Sequence, residues 1–520
     1  MLVNDFLENS ARSRPDHVAL VFGGQRLTYG QIDSAANRLA NHLLANGIGR
    51  GDRVVIYMDN AVEAVIAVFG ILKTGAIFSI VNGSTKAEKL AYILNNCQCV
   101  GLVAHQRKAR VLAEAVPTVP SLRLALLAGT RAESDLGFEA TPFESALAHQ
   151  PAEPPRRACI DVDLATIIYT SGSTGFPKGV MSTHRMMVAA ATSITQYLEN
   201  TPDDVILDVL PLSFDYGLYQ VLMAFRIGAT VVLEDGFTFP YRVAQLLQQE
   251  NVTGFPGVPT IFAMLLQLDS LRSMDFPHLR YVTNTAAALP VSHVSRIRQM
   301  FPGAKLYSMY GLTECKRVSY LPPEEADRRP GSVGIAIPNT EVYIVDEAGQ
   351  RVPPGVVGEL VVRGSHLMSG YWEAPEDTAR ALRPGPYPGE RVLYTGDLFR
   401  MDEEGFLFFV GRKDDVIKSR GEKISPREVE NALCALDGVV EAAVIGLPDE
   451  LLGEAIAAYV VVRDDSRLTE RAILAHCVRS LEDFMVPKRV EIWPGLPKTP
   501  SGKISKLQLR EAWRQPVVAR

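Results

Sequence analysis

The stretch Leu164-Ala165-Thr166-Ile167-Ile168-Tyr169-Thr170-Ser171-Gly172-Ser173-Thr174-Gly175-Phe176-Pro177-Lys178-Gly179 runs from a short β-branched apolar segment directly into glycines, hydroxyl residues and a lysine. The apolar part reads as a buried strand. The glycines that follow allow a sharp turn with backbone N–H groups facing inward, and Ser, Thr and Lys add hydroxyl donors and a positive charge. Such a loop suits the gripping of phosphate. It is not a Walker A loop, because Lys178 precedes Gly179 and the G-x-x-x-x-G-K-[ST] spacing is absent.

Around this loop lie 520 residues, 47% of them apolar, enough for a large core and more than one domain. A formal net charge of -6 leaves no basic field for nucleic acid or an anionic membrane. The start, Met1-Leu2-Val3-Asn4-Asp5-Phe6, lacks the form of a signal peptide, and the apolar run at 64–72 is too short to span a bilayer. Six scattered cysteines without metal-ligand spacing read as ordinary thiols of a reducing cytoplasm, the expected location.

Along residues 27–81 and again from 164 to 249, apolar strands and amphipathic helices alternate at βαβ spacing. That pattern predicts parallel-type sheets covered by helices. From about Pro338, short Gly- and Pro-punctuated strands such as Gly358-Glu359-Leu360-Val361-Val362-Arg363-Gly364 predict a β-rich lobe. The last hundred residues read helix, strand, strand, helix, a small α+β domain. The expected fold is therefore α/β, with a large N-terminal domain over residues 1–411, a connection at 412–416 and a C-terminal domain over 417–520.

Further motifs follow in a fixed order. Tyr310-Gly311-Leu312-Thr313-Glu314 combines an aromatic able to stack on a base with a hydroxyl and a carboxylate suited to a hard metal ion. Then come Gly370-Tyr371-Trp372, Tyr394-Thr395-Gly396-Asp397, Gly411-Arg412-Lys413-Asp414 and Lys498-Thr499-Pro500-Ser501-Gly502-Lys503. Together these segments closely resemble the AMP-forming adenylating superfamily: acyl-CoA synthetases, adenylation domains of nonribosomal peptide synthesis, and luciferases. The resemblance runs from about residue 27 to 506.

It implies an ATP-dependent ligase that converts a carboxylic acid to an acyl adenylate and passes the acyl group to a thiol, with Mg²⁺ as cofactor. Thr170, Ser171, Gly172, Ser173, Thr174, Gly175 and Lys178 would hold the β- and γ-phosphates. Tyr310 would stack on adenine, Thr313 would contact the α-phosphate, and Glu314 would ligate Mg²⁺. Asp397 and Arg412 would hold the ribose, and Lys503 would bridge the attacking carboxylate and the α-phosphate. Asp414 would be the hinge of a mobile C-terminal domain, whose swing exchanges Lys503 for the segment at Gly421 beside the thiol tunnel. One departure is Thr285-Ala286-Ala287-Ala288, where the family often has Gly-Gly-Ala; the residues stay small, but the usual backbone path is in doubt.

The acid pocket is expected around Phe214, Asp215, Tyr216, Tyr219, Ala286 and Gly311. Ser213-Phe214-Asp215 matches the amino-acid-activating branch, where the aspartate pairs with a substrate ammonium. Tyr216-Gly217-Leu218 drifts back toward the acyl-CoA branch. An amino acid loaded onto the phosphopantetheine of a separate carrier protein and a fatty or aryl acid joined to coenzyme A both remain open, and a luciferase-like oxidase shares the fold. Only a short tail follows Lys506, which reads as a chain without a fused carrier domain.

Overall fold

The computed structural model describes residues 1–129, 137–170, 177–237, 239–286, 289–413, 415–419, 422–449, 453–499 and 502–514. Two sheets carry the N-terminal part. In the first, Val205–Asp208, Thr230–Leu233, Gly254–Gly257, Tyr281–Asn284 and Lys305–Tyr310 run parallel, and Val18–Phe22 extends them beside Thr230–Leu233. In the second, Arg53–Met58, Ile77–Asn82, Gly101–His105 and Leu124–Ala128 run parallel. The segment Leu164–Thr170 joins this sheet beside Ile77–Asn82. Its partner Lys178–Thr183 returns antiparallel, with Thr170 opposite Lys178, so the strands that flank the phosphate loop of the sequence pair with each other.

A helical layer lies between the two sheets. Helix Val62–Thr74 is buried from Ala64 to its end, and helix Asp215–Ile227 is buried from Asp215 to Phe225. Helices apolar all round belong inside a core, and Phe69 stacks on Phe225 with centroids 5.3 Å apart. One continuous apolar cluster joins both sheets through this layer, including Ile56, Phe78, Phe69, Phe225, Val231 and Val282. Among the described residues, no helix is long and apolar enough to cross a membrane.

The β-rich lobe is a five-stranded antiparallel sheet containing Thr340–Val345, Gly358–Gly364, Leu382–Pro384, Arg391–Met401 and Leu407–Arg412. Its core takes in Cys315 and Val318, which ties it to the end of the first sheet. The C-terminal α+β domain is built on Val439–Asp449 paired with Gly453–Val462. Alternation decides its faces. Val444, Ala458 and Val460 face helices Pro426–Cys434 and Glu470–Ser480, whereas Ala443, Ile445 and Tyr459 face Leu509 of helix Lys506–Arg514. The six cysteines are free thiols.

His184 begins helix His184–Tyr197, fully buried, and its Nδ1 accepts the backbone N–H of Val3 at 3.1 Å. Burial pushes its pKa down to about 4, with nearby aspartates opposing. Because the folded value lies below the unfolded one of about 6.5, the stabilisation is complete above that pH and lost as pH falls toward 4. Urea midpoints recorded from pH 7 to pH 4 are expected to fall in wild type, and His184→Gln should flatten the curve by about one proton of linkage. Equal slopes would show that His184 carries no part of the acid sensitivity.

Candidate active site

The site forms at the carboxyl ends of the first sheet's strands, where parallel α/β sheets leave their ligand crevice. Asp215 starts helix Asp215–Ile227, and three local devices fix it. Asn60 donates to the carbonyls of Leu210 and Glu234, both at 2.8 Å, and accepts the Leu212 N–H at 2.8 Å. Asp208 accepts the N–H of Leu210 at 3.1 Å. Gly217 lets the first turn press against residues 210–211, since a Cβ there would stand 2.5 Å from the Pro211 carbonyl oxygen.

Tyr310 ends its strand, and the chain folds back at once. Lys316 N–H bonds the Leu312 carbonyl at 2.6 Å and Val318 N–H bonds that of Tyr310 at 2.9 Å. Gly311 is required because a Cβ would lie 2.3 Å from the Lys316 carbonyl oxygen. Lys316 itself sits at φ 63, a left-handed conformation uncommon for a long side chain and concentrated at functional sites. The turn delivers Thr313 Oγ1 to Asp215 Oδ1 at 3.3 Å. It also brings Lys316 Nζ to the Thr313 carbonyl at 2.7 Å and to within 3.7 Å of Asp215 Oδ2. Both charges are nearly buried, with side chains 3% and 10% exposed.

Glu314 accepts the Tyr371 hydroxyl at 2.8 Å. Lys178, at the end of the hairpin, pairs with Asp377 at 2.9 Å and lies 5.6 Å from the Tyr371 ring. Among the described residues, no three His, Cys, Asp or Glu side chains converge as a metal cage. A single carboxylate next to a phosphate loop suits Mg²⁺, which takes most of its ligands from substrate phosphates and water.

Asp397 lies opposite Arg412 in the antiparallel pair Arg391–Met401 and Leu407–Arg412. Its Oδ2 accepts the Tyr310 hydroxyl at 2.6 Å, while Oδ1 has no hydrogen-bond donor and stands 3.4 Å from Arg412 Nε. Burial pushes this carboxyl upward, with Arg412, the Tyr310 hydroxyl and Lys503 opposing. An acceptor left over in a buried carboxylate fits the hydroxyls of a ribose. The Tyr310 ring packs edge-on to Phe399 at 4.7 Å.

Lys503 reaches this cleft from the C-terminal domain. Its turn is closed by Thr499 N–H to the Lys503 carbonyl at 2.7 Å and by Gly502 at φ 81, and it docks where Thr260 Oγ1 donates to the Gly502 carbonyl at 3.2 Å. Lys503 is exposed, although protein lies close around it. That surrounding mass lowers its pKa, Asp215, Asp397 and Glu314 raise it, and Arg412 lowers it.

The structure thus brings together Asp215, Thr313, Glu314, Asp397, Arg412 and Lys503. Thr170 and Lys178 flank the hairpin tip, whereas Ser171, Gly172, Ser173, Thr174, Gly175, Asp414 and Gly421 lie outside the described residues. Ala286 adopts φ 75, so the Thr285-Ala286 segment keeps a backbone turn that glycine would take more easily. Tyr216 does not stand free as a pocket wall: its hydroxyl bonds the Thr283 carbonyl at 2.9 Å, and the Arg317 guanidinium lies 4.9 Å from its ring. Sequence reasoning missed Lys316, Arg317 and Tyr371 as site residues. The sequence signals were the basic pair Lys316-Arg317, one residue past the Thr313-Glu314 motif, and the place of Tyr371 in Gly370-Tyr371-Trp372.

Residues 7–372 match the family described as AMP-binding enzyme, and residues 428–503 match the AMP-binding enzyme C-terminal domain. A long-chain-fatty-acid–CoA ligase of Bacillus subtilis is 31% identical over 98% of this chain and 94% of its own length. Tyrocidine synthase 3 of Brevibacillus parabrevis is equally similar, at 31% over 98% of this chain, which spans 8% of that protein. Among solved structures, the anthranilate CoA ligase AuaEII in complex with anthranoyl-AMP superposes with a TM-score of 0.90 at 27% identity, covering 98% of this chain and 97% of that one.

The Asp215–Lys316 pair is open to a double-mutant cycle. Lys316→Ala is expected to destabilise the fold by about 3–5 kcal/mol, the range for stripping one partner from a buried ion pair. Adding Asp215→Asn should return part of that loss, as read from urea unfolding. Strict additivity would mean that the two side chains do not interact.

Proposed function

The chain belongs to the AMP-binding enzyme family, and from that premise we propose that it is a Mg²⁺-dependent ligase that adenylates a carboxylic acid without an α-amine and transfers the acyl group to coenzyme A. The observation that carries the reading is Lys503 held in one cleft with Asp397, Arg412 and Glu314, next to Gly502, whose carbonyl accepts from Thr260. A carboxylate is a weak nucleophile, repelled by the triphosphate it must attack. The lysine ammonium between the two anions offsets that repulsion and stabilises charge as it develops on the phosphorus oxygens.

In the first half-reaction a carboxylate oxygen bonds the α-phosphorus and pyrophosphate leaves. Thr313 would hold the α-phosphate, Tyr310 the adenine, and Asp397 with Arg412 the ribose. The sequence from Thr170 to Lys178 would hold the outgoing phosphates. Glu314 would hold Mg²⁺, which supplies charge neutralisation on the phosphate oxygens. In the second half-reaction the thiol sulfur bonds the acyl carbon, AMP leaves with the bonding electrons, and the thiol proton passes to solvent. For that step residues 417–520 would swing about 412–416, with Asp414 as the hinge, removing Lys503 and bringing in the segment at Gly421.

Asp215 supports an acid without an amine because its charge is already met within the chain by Lys316. A buried carboxylate left to bind a substrate ammonium would need to be unpaired. The second reading, an amino acid passed to a carrier protein, is favoured by Ser213-Phe214-Asp215 and by the similarity to tyrocidine synthase 3.

Lys503→Ala should lose ATP–pyrophosphate exchange by several orders of magnitude yet still form thioester from a supplied acyl adenylate; equal loss of both activities would remove the case for a lysine used in one step. Across pairs of amino acids and their deaminated analogues, pyrophosphate release without thiol is expected from the deaminated member. A preference for the amino acid of about tenfold or more would favour the carrier-protein reading instead.

A further inference from the structure

We propose that two ion pairs, Lys413–Glu359 and Asp415–Arg510, clamp the chain on either side of position 414, so that the C-terminal domain swings about that one residue. This deepens the two-step ligase reading above and rests on it. The four side chains are positioning residues, acting on the reaction through the axis they hold.

The clamp on the large-domain side is built into the β-rich lobe. Glu359 stands on Gly358–Gly364, a strand with a partner on each side, and its side chain is 9% exposed. Both of its carboxylate oxygens are occupied. Oε2 accepts from Lys413 Nζ at 2.9 Å, and Oε1 accepts the Gly396 N–H at 3.1 Å. The Lys413 N–H in turn donates to the Gly396 carbonyl at 2.9 Å. Lys413 is therefore tied by backbone and side chain to the turn that presents Asp397. An exposed ion pair adds little stability. The effect of this one is geometric, because its carboxylate is nearly buried and already fixed by a backbone donor.

The clamp on the other side belongs to the C-terminal domain. Arg510 Nη2 donates to Asp415 Oδ1 at 3.0 Å. Arg510 follows Leu509, which is fully buried in one of that domain's apolar clusters with Ile445 and Tyr459. Its helix, Lys506–Arg514, begins three residues after Lys503. The loop carrying Lys503 is closed by the Ser505 N–H, which donates to the Pro497 carbonyl at 2.8 Å. Asp415 thus moves with the lysine that the swing withdraws.

Neither ion pair crosses position 414. Among the described residues, the contacts that do cross it include the Asp415 and Val416 N–H groups, which donate to the Arg412 carbonyl at 3.0 and 3.2 Å. Others are Ser425 Oγ to the Val410 carbonyl, Thr260 Oγ1 to the Gly502 carbonyl at 3.2 Å, and the attraction between Arg412 and Asp415. These hold the domain in the orientation seen here, with Lys503 in the cleft, and a swing must break them. The two ion pairs can persist throughout. Hinges are a few residues that absorb a large φ/ψ change, and fixing 413 and 415 to opposite bodies leaves 414 to absorb it. Once the crossing contacts are gone, the clamps set the axis that decides where the segment at Gly421 arrives.

The test separates the half-reactions in the full chain, with the acid that wild type adenylates best. Lys413→Met and Arg510→Met remove side chains 49% and 34% exposed, so neither opens the core. Each is expected to leave ATP–pyrophosphate exchange within about twofold, because the crossing contacts still hold Lys503 in place. Each should slow thioester formation from supplied acyl adenylate, with coenzyme A or phosphopantetheine as the thiol, by about tenfold or more. Lys413→Arg should return that rate to within about threefold of wild type, and the reversed pair Asp415→Arg with Arg510→Asp should recover most of what Arg510→Met loses. Thioester formation unchanged in both Met variants, or both half-reactions slowed alike, would overturn the clamp while leaving the ligase reading in place. Exchange absent from wild type with every acid would overturn the ligase reading and the clamp with it.

Discussion

Two anions that repel each other must be held in contact, and the charged groups of the cleft are placed to meet that requirement. Lys503, Arg412 and Glu314 meet in one cleft, and Lys178 stands at the end of the strand pair beside Tyr371. None of these groups lies on the same secondary-structure element as another. The hairpin of the second sheet supplies Lys178, the turn after the first sheet supplies Glu314, the β-rich lobe supplies Arg412, and the C-terminal domain supplies Lys503. Their convergence depends on the buried helical layer that fixes the two sheets to each other through Phe69 and Phe225.

Within that frame, the turn at 311–318 carries much of the chemistry in few residues. Gly311 permits the close fold-back, and the left-handed backbone at Lys316 divides two consecutive cations between different tasks. Lys316 turns toward Asp215 and Thr313, while Arg317 covers Tyr216. A strained backbone held by this many contacts fixes side-chain directions that a relaxed loop would leave variable. The same turn presents Thr313 to Asp215 and Glu314 to Tyr371.

Contacts of the C-terminal domain with the rest of the chain include Thr260 to Gly502, Arg510 to Asp415 in the connection, and Ser425 to the Val410 carbonyl. Its own apolar clusters are separate from the main core. A surface joined by hydrogen bonds and an ion pair separates more readily than one joined by interlocked apolar side chains, and small polar interfaces between domains favour relative motion.

The sequence alone determined the α/β class, the change of texture after Pro338, and the helix, strand, strand, helix order of the last hundred residues. Leu164–Thr170 and Gly358–Gly364 are legible because apolar periodicity and Gly/Pro punctuation are local properties. The ordered motifs likewise named Glu314, Asp397 and Lys503 before any contact was known. Only the tertiary structure decided that Asp215 already has a cation at 3.7 Å, and that Arg317 and Tyr219 are buried without full partners. Pairing and desolvation arise between residues about a hundred positions apart, where one-dimensional spacing carries no information. A lysine two residues past a motif reads as surface charge until the fold removes its water.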